Sequence, residues 1–220
     1  IRFKYAQTKD IAGSYNNLAI CHKSINELEK AESYINLAIN NAQEANQTKM
    51  VYQFHENLGN ILNLQLKYNE AERAYLIALQ VPEDYQNFLR DKFTTYSNLI
   101  DLYYTTNQLD KAKQAITETE NLIQQDSTLH NFSESFYLNS AKTFYALQQP
   151  QKANTYFKIY ESIKDSLFSK ENAEALAGIE AKLKTKEKEA ELAETKTKLL
   201  EREIEVKQKN LLIYGSLSAF

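Results

Sequence analysis

The chain has 220 residues, of which 43% are apolar, and its formal net charge is −3. It contains only four Gly and two Pro, so few sites for hairpin turns exist and an all-α fold is favoured. Its single cysteine excludes an internal disulfide, and its slightly acidic balance argues against a nucleic acid as partner.

The beginning of the chain is predicted to belong to an earlier repeat. Residues 6–9 (Ala-Gln-Thr-Lys) align with residues 46–49 (Asn-Gln-Thr-Lys), where one repeat gives way to the next. We therefore interpret residues 1–7 as the tail of a truncated preceding repeat, and we place the first complete repeat at residue 8.

A short phrase with an Asn recurs four times between residues 8 and 167, at offsets of 40, 41 and 41 residues. It begins at Tyr15, His55, Tyr96 and Tyr137. A second phrase comes each time at a fixed distance after it and ends at Ala31, Ala71, Ala112 and Ala153. A period in this range predicts stacked supersecondary units, none of which can bury its apolar face alone.

The two linked phrases resemble the tetratricopeptide repeat. That resemblance implies a right-handed α-solenoid in which each repeat has a first helix, a tight turn and a second helix. The period here is longer than the 34 residues usual in the family, so each helix is expected to be about one turn longer. Asn26 and Asn107 occupy the turn, where a left-handed backbone conformation is expected.

The resemblance places the first helices on the concave face of the solenoid, where a peptide or protein ligand would bind. The predicted site is Asn17, Asn57, Asn98, Asn139, Asn60, Asp101, Lys142, Lys23, Asn63, Tyr104 and Tyr145. Because a carboxamide both donates and accepts, a row of Asn side chains could hold the backbone of an extended peptide. The alternative is that each Asn bonds to the neighbouring helix and keeps the repeats in register.

Motifs for catalysis are missing from the sequence, which has no Gly-rich phosphate loop, nucleophile motif or metal-ligand cluster. Cys21 is interpreted as a buried structural thiol, and His22 and His55 are interpreted as packing residues. His130 is distant in sequence from the other two histidines, so a shared metal site is not expected. We predict no catalytic residue, no cofactor and no metal in this chain, although an output domain such as a kinase could lie beyond residue 220.

Residues 168–209 are rich in alternating acidic and basic side chains and are predicted to form a coiled-coil or signalling helix. Apolar residues at three-four spacing form the predicted seam of a parallel homodimer, namely Leu176, Ile179, Leu183, Leu200, Ile204 and Leu211. Glu194 and Lys198 have the spacing of a supporting ion pair. The alternative is a solvated helix that caps the solenoid.

Residues 210–220 carry no charge, and we predict that they begin a transmembrane helix continuing past Phe220. The alternative is a frayed helix end. The order of repeats, charged helix and apolar run resembles the input region of membrane sensor histidine kinases and repeat-containing transcriptional regulators of Bacteroidetes.

This second resemblance implies a membrane-anchored sensory module whose repeats are extracytoplasmic (periplasmic). Lys207 and Lys209 lie beside the apolar run and favour the cytoplasmic alternative instead. Two other functions stay open on the sequence, a soluble cytoplasmic peptide receptor and a passive scaffold for other proteins.

Overall fold

The computed structural model describes residues 2–85, 87–132 and 134–217, and these residues form eight α-helices, one 3-10 helix and no strand. The α-helices are α1 (Arg2–Ser24), α2 (Leu28–Glu44), α3 (Thr48–Leu64), α4 (Tyr68–Ala78), α5 (Phe88–Thr105), α6 (Leu109–Gln125), α7 (Glu134–Ala146) and α8 (Pro150–Leu217). The 3-10 helix spans Ser127–Phe132, between α6 and α7. The predicted all-α solenoid is confirmed.

Each repeat turns between its two helices through the same backbone conformation. Asn26, Leu66, Asn107 and Gln148 all have a positive φ, between 56° and 63°. In the first of these turns the amide N–H of Glu27 donates to the carbonyl of His22, and the N–O distance is 2.9 Å. This bond satisfies a carbonyl at the helix end that would otherwise lack a partner. The prediction for Asn26 and Asn107 is confirmed, while Leu66 and Gln148 adopt the conformation without the residue that favours it.

The helices pack because small residues let them approach each other. The alanines that open the second helices, Ala31, Ala71, Ala112 and Ala153, are all buried. At Gly59 of α3 there is no room for a side chain, since a Cβ there would lie 2.5 Å from the Tyr75 ring. In the first repeat the positions of Gly59 and Tyr75 are occupied by Ala19 and by Ile35, whose side chain is smaller than that of Tyr75, and both residues are fully buried.

Aromatic rings fill the core of the later repeats. Phe136 is fully buried and makes edge contacts with Phe93, Tyr137 and Tyr156, with ring centroids 4.9 to 6.2 Å apart. Tyr156 also stacks on Phe144 at 5.2 Å. These rings come from α5, α7 and α8, so they hold the third and fourth repeats together.

The residues up to Lys164 form one compact unit, and those from Asp165 form a second. In the second unit α8 continues as a helix to Leu217. The predicted pair of Glu194 and Lys198 is present, with an Oε1–Nζ distance of 2.7 Å. The predicted assignment of residues 1–7 to a preceding repeat stays a prediction, and α1 begins at Arg2.

Within the described ranges no helix is both long enough and apolar enough to cross a membrane. The side chains of residues 210–220, the predicted membrane segment, lie outside the described part of the chain. Residues 218–220 lie outside it entirely.

Candidate functional site

The four asparagines of the predicted row lie on α1, α3, α5 and α7, which contact one another in chain order. Asn17 is exposed, Asn57 and Asn98 are half-buried, and Asn139 is buried. The repeated Asn therefore differs in its exposure along the row, and the fourth position is closed to a ligand.

Two of these asparagines make hydrogen bonds within the chain. The Nδ2 of Asn57 donates to the Oδ1 of Asn16 on the preceding first helix, at 2.8 Å. The Nζ of Lys142 donates to the Oδ1 of Asn139 at 3.3 Å. The bond from Asn57 is of the kind that the register interpretation requires, because it joins adjacent repeats.

Next to the row of asparagines, the hydroxyl of Tyr75 donates to the Oδ1 of Asn60 at 2.7 Å. Burial raises the pKa of Tyr75, and the carboxylates of Glu56 and Asp101 raise it further. The phenol therefore stays protonated at neutral pH and remains a donor to Asn60. The predicted residues Asn60 and Asp101 thus belong to one polar cluster that also includes Glu56.

Glu56 of α3 is the most perturbed carboxyl group of this cluster. Burial raises its pKa to about 7, the charge of Asp91 adds to the rise, and Lys23 opposes it. Burial also raises the pKa of Asp91, against the opposing effects of Lys49, Gln53 and Arg90. Near neutral pH Glu56 therefore changes its charge.

We name the central part of this surface the first-helix face, and it consists of Lys23, Glu56, Asn57, Asn60, Asn63 and Asp101. Lys23, Asn63 and Asp101 are half-buried. Sequence reasoning missed Glu56, because the corresponding residues of the other repeats are Asn16, Ser97 and Leu138 and carry no charge. An isolated acid beside the repeated Asn was the only signal.

A second feature lies at the end of the fourth repeat, where α5, α7 and α8 enclose a cavity of about 280 Å³. We name it the end slot, and its lining residues are Tyr104, Leu138, Ala141, Lys142, Tyr145, Ala146, Ala153, Asn154 and Phe157. Three of these, Tyr104, Lys142 and Tyr145, were predicted as site residues, and the structure brings them together. The predominantly apolar lining suits an aliphatic or aromatic side chain.

The prediction that Cys21 is buried is wrong, because this residue is exposed. Two of the three histidines, His22 and His130, have structural contacts, whereas the buried Nδ1 of the half-buried His55 makes no hydrogen bond. The Nδ1 of His22 lies 2.6 Å from a carboxylate oxygen of Glu27, and its ring stacks on Tyr34. The Nδ1 of His130 lies 2.7 Å from the hydroxyl of Tyr137. Among the described residues, no group of three or more His, Cys, Asp or Glu side chains could hold a metal ion.

The predicted dimer seam is described only in part. Ile179 and Leu200 are exposed, at 56% and 53% of their side-chain surface. The side chains of Leu176, Leu183, Ile204 and Leu211 lie outside the described residues. Dimerisation through this helix stays a prediction.

No family model matches the chain. The transcriptional activator NprA of Geobacillus stearothermophilus is 24% identical over 139 residues, which cover 63% of this chain and 34% of NprA. Among solved structures, BtubC from P. vanneervenii has a TM-score of 0.62 and 20% identity, covering 73% of this chain and 65% of BtubC. Aspartyl phosphate phosphatase F from Bacillus subtilis has a TM-score of 0.50 and 19% identity, covering 74% of this chain and 53% of that one.

At these identities the solved structures show the fold. The chain is a helical-repeat solenoid. It spans about a third of NprA and less than two thirds of either solved chain. The resemblance to membrane sensor kinases stays a prediction.

Proposed function

We propose that this chain is the protein-binding or peptide-binding part of a regulatory protein, and that its partner binds along the first-helix face. The observation that carries this proposal is the position of polar side chains on successive helices that lie side by side. Asn57, Asn60 and Asp101 come from two adjacent repeats, and each offers hydrogen-bonding atoms.

The chemistry of the face favours an extended segment with a basic side chain. Glu56 and Asp101 lie close enough to Tyr75 to affect its ionisation, so the two carboxyls share one part of the surface. An Arg or Lys of the partner there would neutralise them and restore the charged form of Glu56. Asn60 and Asn63 would then hold the backbone of the segment on either side.

We favour the peptide-receptor or scaffold alternative over a membrane-anchored sensor. NprA is named as a transcriptional activator, and its matched region covers 63% of this chain. A regulator of transcription also favours the cytoplasmic alternative for localisation. A coiled-coil homodimer through residues 168–209 is compatible with this role and is proposed on the sequence pattern alone.

A displayed library of random dodecapeptides, selected on the immobilised chain, tests the proposal. Selected peptides should be enriched in Arg or Lys, and their affinity should fall about tenfold or more with Asn63→Ala and Asp101→Ala combined. The matched control is Lys113→Ala with Glu118→Ala, two residues of α6 outside the first-helix face. It should leave the affinity unchanged.

Thermal unfolding followed by circular dichroism should show that both double variants fold as the parent chain does. If the selected peptides bind equally well to both variants, the first-helix face is not the binding site. If repeated selection enriches no peptide at all, the receptor function itself is wrong.

A further inference from the structure

Ion pairs join the first three repeats through their second helices. The Nζ of Lys67 lies 2.8 Å from a carboxylate oxygen of Glu32, and the Nζ of Lys111 lies 2.8 Å from one of Glu72. Glu32 and Glu72 occupy the same position in α2 and α4, since they are 40 residues apart. The carboxylate at this position therefore connects each of these two repeats to the next one.

Between α6 and α8 that position carries the opposite charge. By the repeat offset of 41 residues, Glu72 corresponds to Lys113 and Lys111 corresponds to Lys152. Both of the later lysines are exposed, and among the described residues neither ammonium group forms a salt bridge. A second cation has thus replaced the carboxylate that a cation holds at the preceding junction.

Ring contacts show that Lys152 has kept the place of Lys111. The Nζ of Lys111 lies 5.2 Å from the centroid of the Tyr103 ring, and the Nζ of Lys152 lies 5.3 Å from that of Phe144. Phe144 corresponds to Tyr103 by the same offset. The hydroxyl of Tyr103 donates to Glu72 at 2.8 Å, whereas a Phe ring has no hydroxyl to donate. At the later junction the cation and its ring are therefore kept, and the carboxylate with its second donor is replaced.

The two lysines line a cavity of about 510 Å³ between α6, α7 and α8, which we name the second-helix groove. Its lining includes the buried ring of Phe144 and the half-buried Ile159. Glu120 also lines it, but its carboxylate accepts a hydrogen bond from the hydroxyl of Tyr156. Along α6 this carboxyl group comes two turns after Lys113, about 10 Å of helix. The groove therefore has a cationic part and a part where its own acid is already bonded.

We propose that the second-helix groove binds an acidic segment of a protein partner, with one Asp or Glu carboxylate of that segment between Lys113 and Lys152. The bound carboxylate takes the role that Glu72 has at the preceding junction. An apolar side chain next to the acid lies against Phe144 and Ile159. This inference goes beyond the peptide binding proposed above and does not depend on it, because the first-helix face favours the opposite charge.

Charge and apolar surface have separate roles in this groove. Two cations that line one cavity favour an anion there and raise the rate of its encounter. An exposed ion pair alone contributes little to affinity. Contact with the buried Phe144 ring therefore has to supply much of the binding free energy, and the groove should prefer an acid with an apolar neighbour.

A displayed library of random dodecapeptides tests the inference when it is selected on the immobilised chain carrying Asn63→Ala and Asp101→Ala. These changes weaken the first-helix face, so the two sites are examined separately. Selected peptides should be enriched in Asp or Glu beside an aromatic or aliphatic residue. Their affinity should fall about tenfold or more when Lys113→Glu is added, because the new carboxylate would pair with Lys152 within the chain.

Lys158→Glu is the matched control, since it makes the same change in charge at an exposed lysine of α8 outside the lining of the groove. It should leave the affinity for the selected peptides unchanged. Circular dichroism should show that both variants fold as the parent does. Basic peptides selected for the first-helix face are repelled by the two lysines of the groove, so Lys113→Ala remains a control for that face.

Three outcomes would overturn the proposal. One is a selection that enriches no acidic peptide. Another is an affinity that Lys113→Glu and Lys158→Glu lower equally or that neither lowers, because the binding would then not involve the groove. The third is inorganic phosphate that binds more tightly than the selected peptides in a calorimetric titration, since the two lysines would then serve a free oxyanion.

Discussion

The repeats and the charged helix are both helical, but they differ in what surrounds their side chains. Up to Ala153, apolar side chains from every helix are buried, several of them completely. From Lys164 to Arg202, every side chain that the structure describes is exposed. The same secondary structure is therefore supported by tertiary packing in the first region and by local interactions in the second.

This difference explains why the two regions use different residues. In the repeats, aromatic rings such as Phe136 and Tyr156 fix the distance between helices. In the charged helix, pairs such as Glu194 and Lys198 contribute only a few tenths of a kcal/mol each. The exposed Leu192 and Leu199 gain nothing from burial within the described chain.

The largest expected effect is on the free energy of unfolding, and it is tested by replacing one apolar residue from each region. Phe136→Ala should lower the free energy of unfolding by about 3–5 kcal/mol, because it removes a fully buried ring and leaves a cavity. Leu199→Ala, at a side chain that is 61% exposed, should change it by less than about 0.5 kcal/mol. Urea unfolding of both variants measures the difference.

The difference in packing between the two regions would be contradicted if Leu199→Ala were as destabilising as Phe136→Ala. That result would mean that the charged helix is buried in solution, as in the predicted dimer. Repeating the measurement at several protein concentrations would then show whether stability depends on association.

A second test concerns the tight contact between α3 and α4 at Gly59. In an open helix Gly→Ala gains about 0.5–1 kcal/mol. At Gly59, however, the added methyl would lie 2.5 Å from the Tyr75 ring. Gly59→Ala should therefore destabilise the chain by about 1–3 kcal/mol in total, as overpacking does. Thermal unfolding measures the loss.

The first repeat indicates how to rescue that variant. Gly59→Ala combined with Tyr75→Ile reproduces the pair Ala19 and Ile35, both fully buried in the first repeat. The double variant should be more stable than Gly59→Ala alone, and the two changes should be clearly non-additive. Additive effects would show that the ring and the methyl do not meet.

The sequence predicted the fold correctly because the repeat period reports packing directly. Ala31, Ala71 and Ala112 recur since each opens a tight helix contact, and a contact of that kind leaves a visible pattern. The candidate site was predicted only in part. Glu56 carries no repeated signal, and the exposure of Phe157 depends on the neighbour of the last repeat, which its own repeat position does not reveal.

A half-buried carboxyl, that of Glu56, distinguishes the repeats from the charged helix, whose described acids are exposed. Because burial raises the pKa of Glu56 from 4.5 to about 7, the folded chain binds more protons than the unfolded chain between those values. Its contribution to stability is complete below pH 4.5 and is lost as the pH rises through about 7.

Glu56→Gln should remove that pH dependence, raising the free energy of unfolding at pH 8 on the order of 1–3 kcal/mol relative to the parent. The two proteins should differ little at low pH. Urea unfolding at several pH values gives the difference, with Asp91 and Lys23 unchanged in both proteins. A constant difference across the pH range would show that Glu56 does not titrate in this interval.

The smallest expected effect is a gain in stability inside the repeats. Leu66 has a φ of 63°, a left-handed conformation that costs a residue with a branched or bulky side chain about 1–2 kcal/mol. Its side chain is 68% exposed, so little burial is lost on replacing it. Leu66→Asn, which copies Asn26 and Asn107, should therefore raise the free energy of unfolding by about 0.5–1 kcal/mol. Leu64→Asn, at a side chain that is 54% exposed within α3, is the control and should not stabilise. An equal gain at both positions would mean that lost surface hydrophobicity, and not the turn conformation, explains the effect.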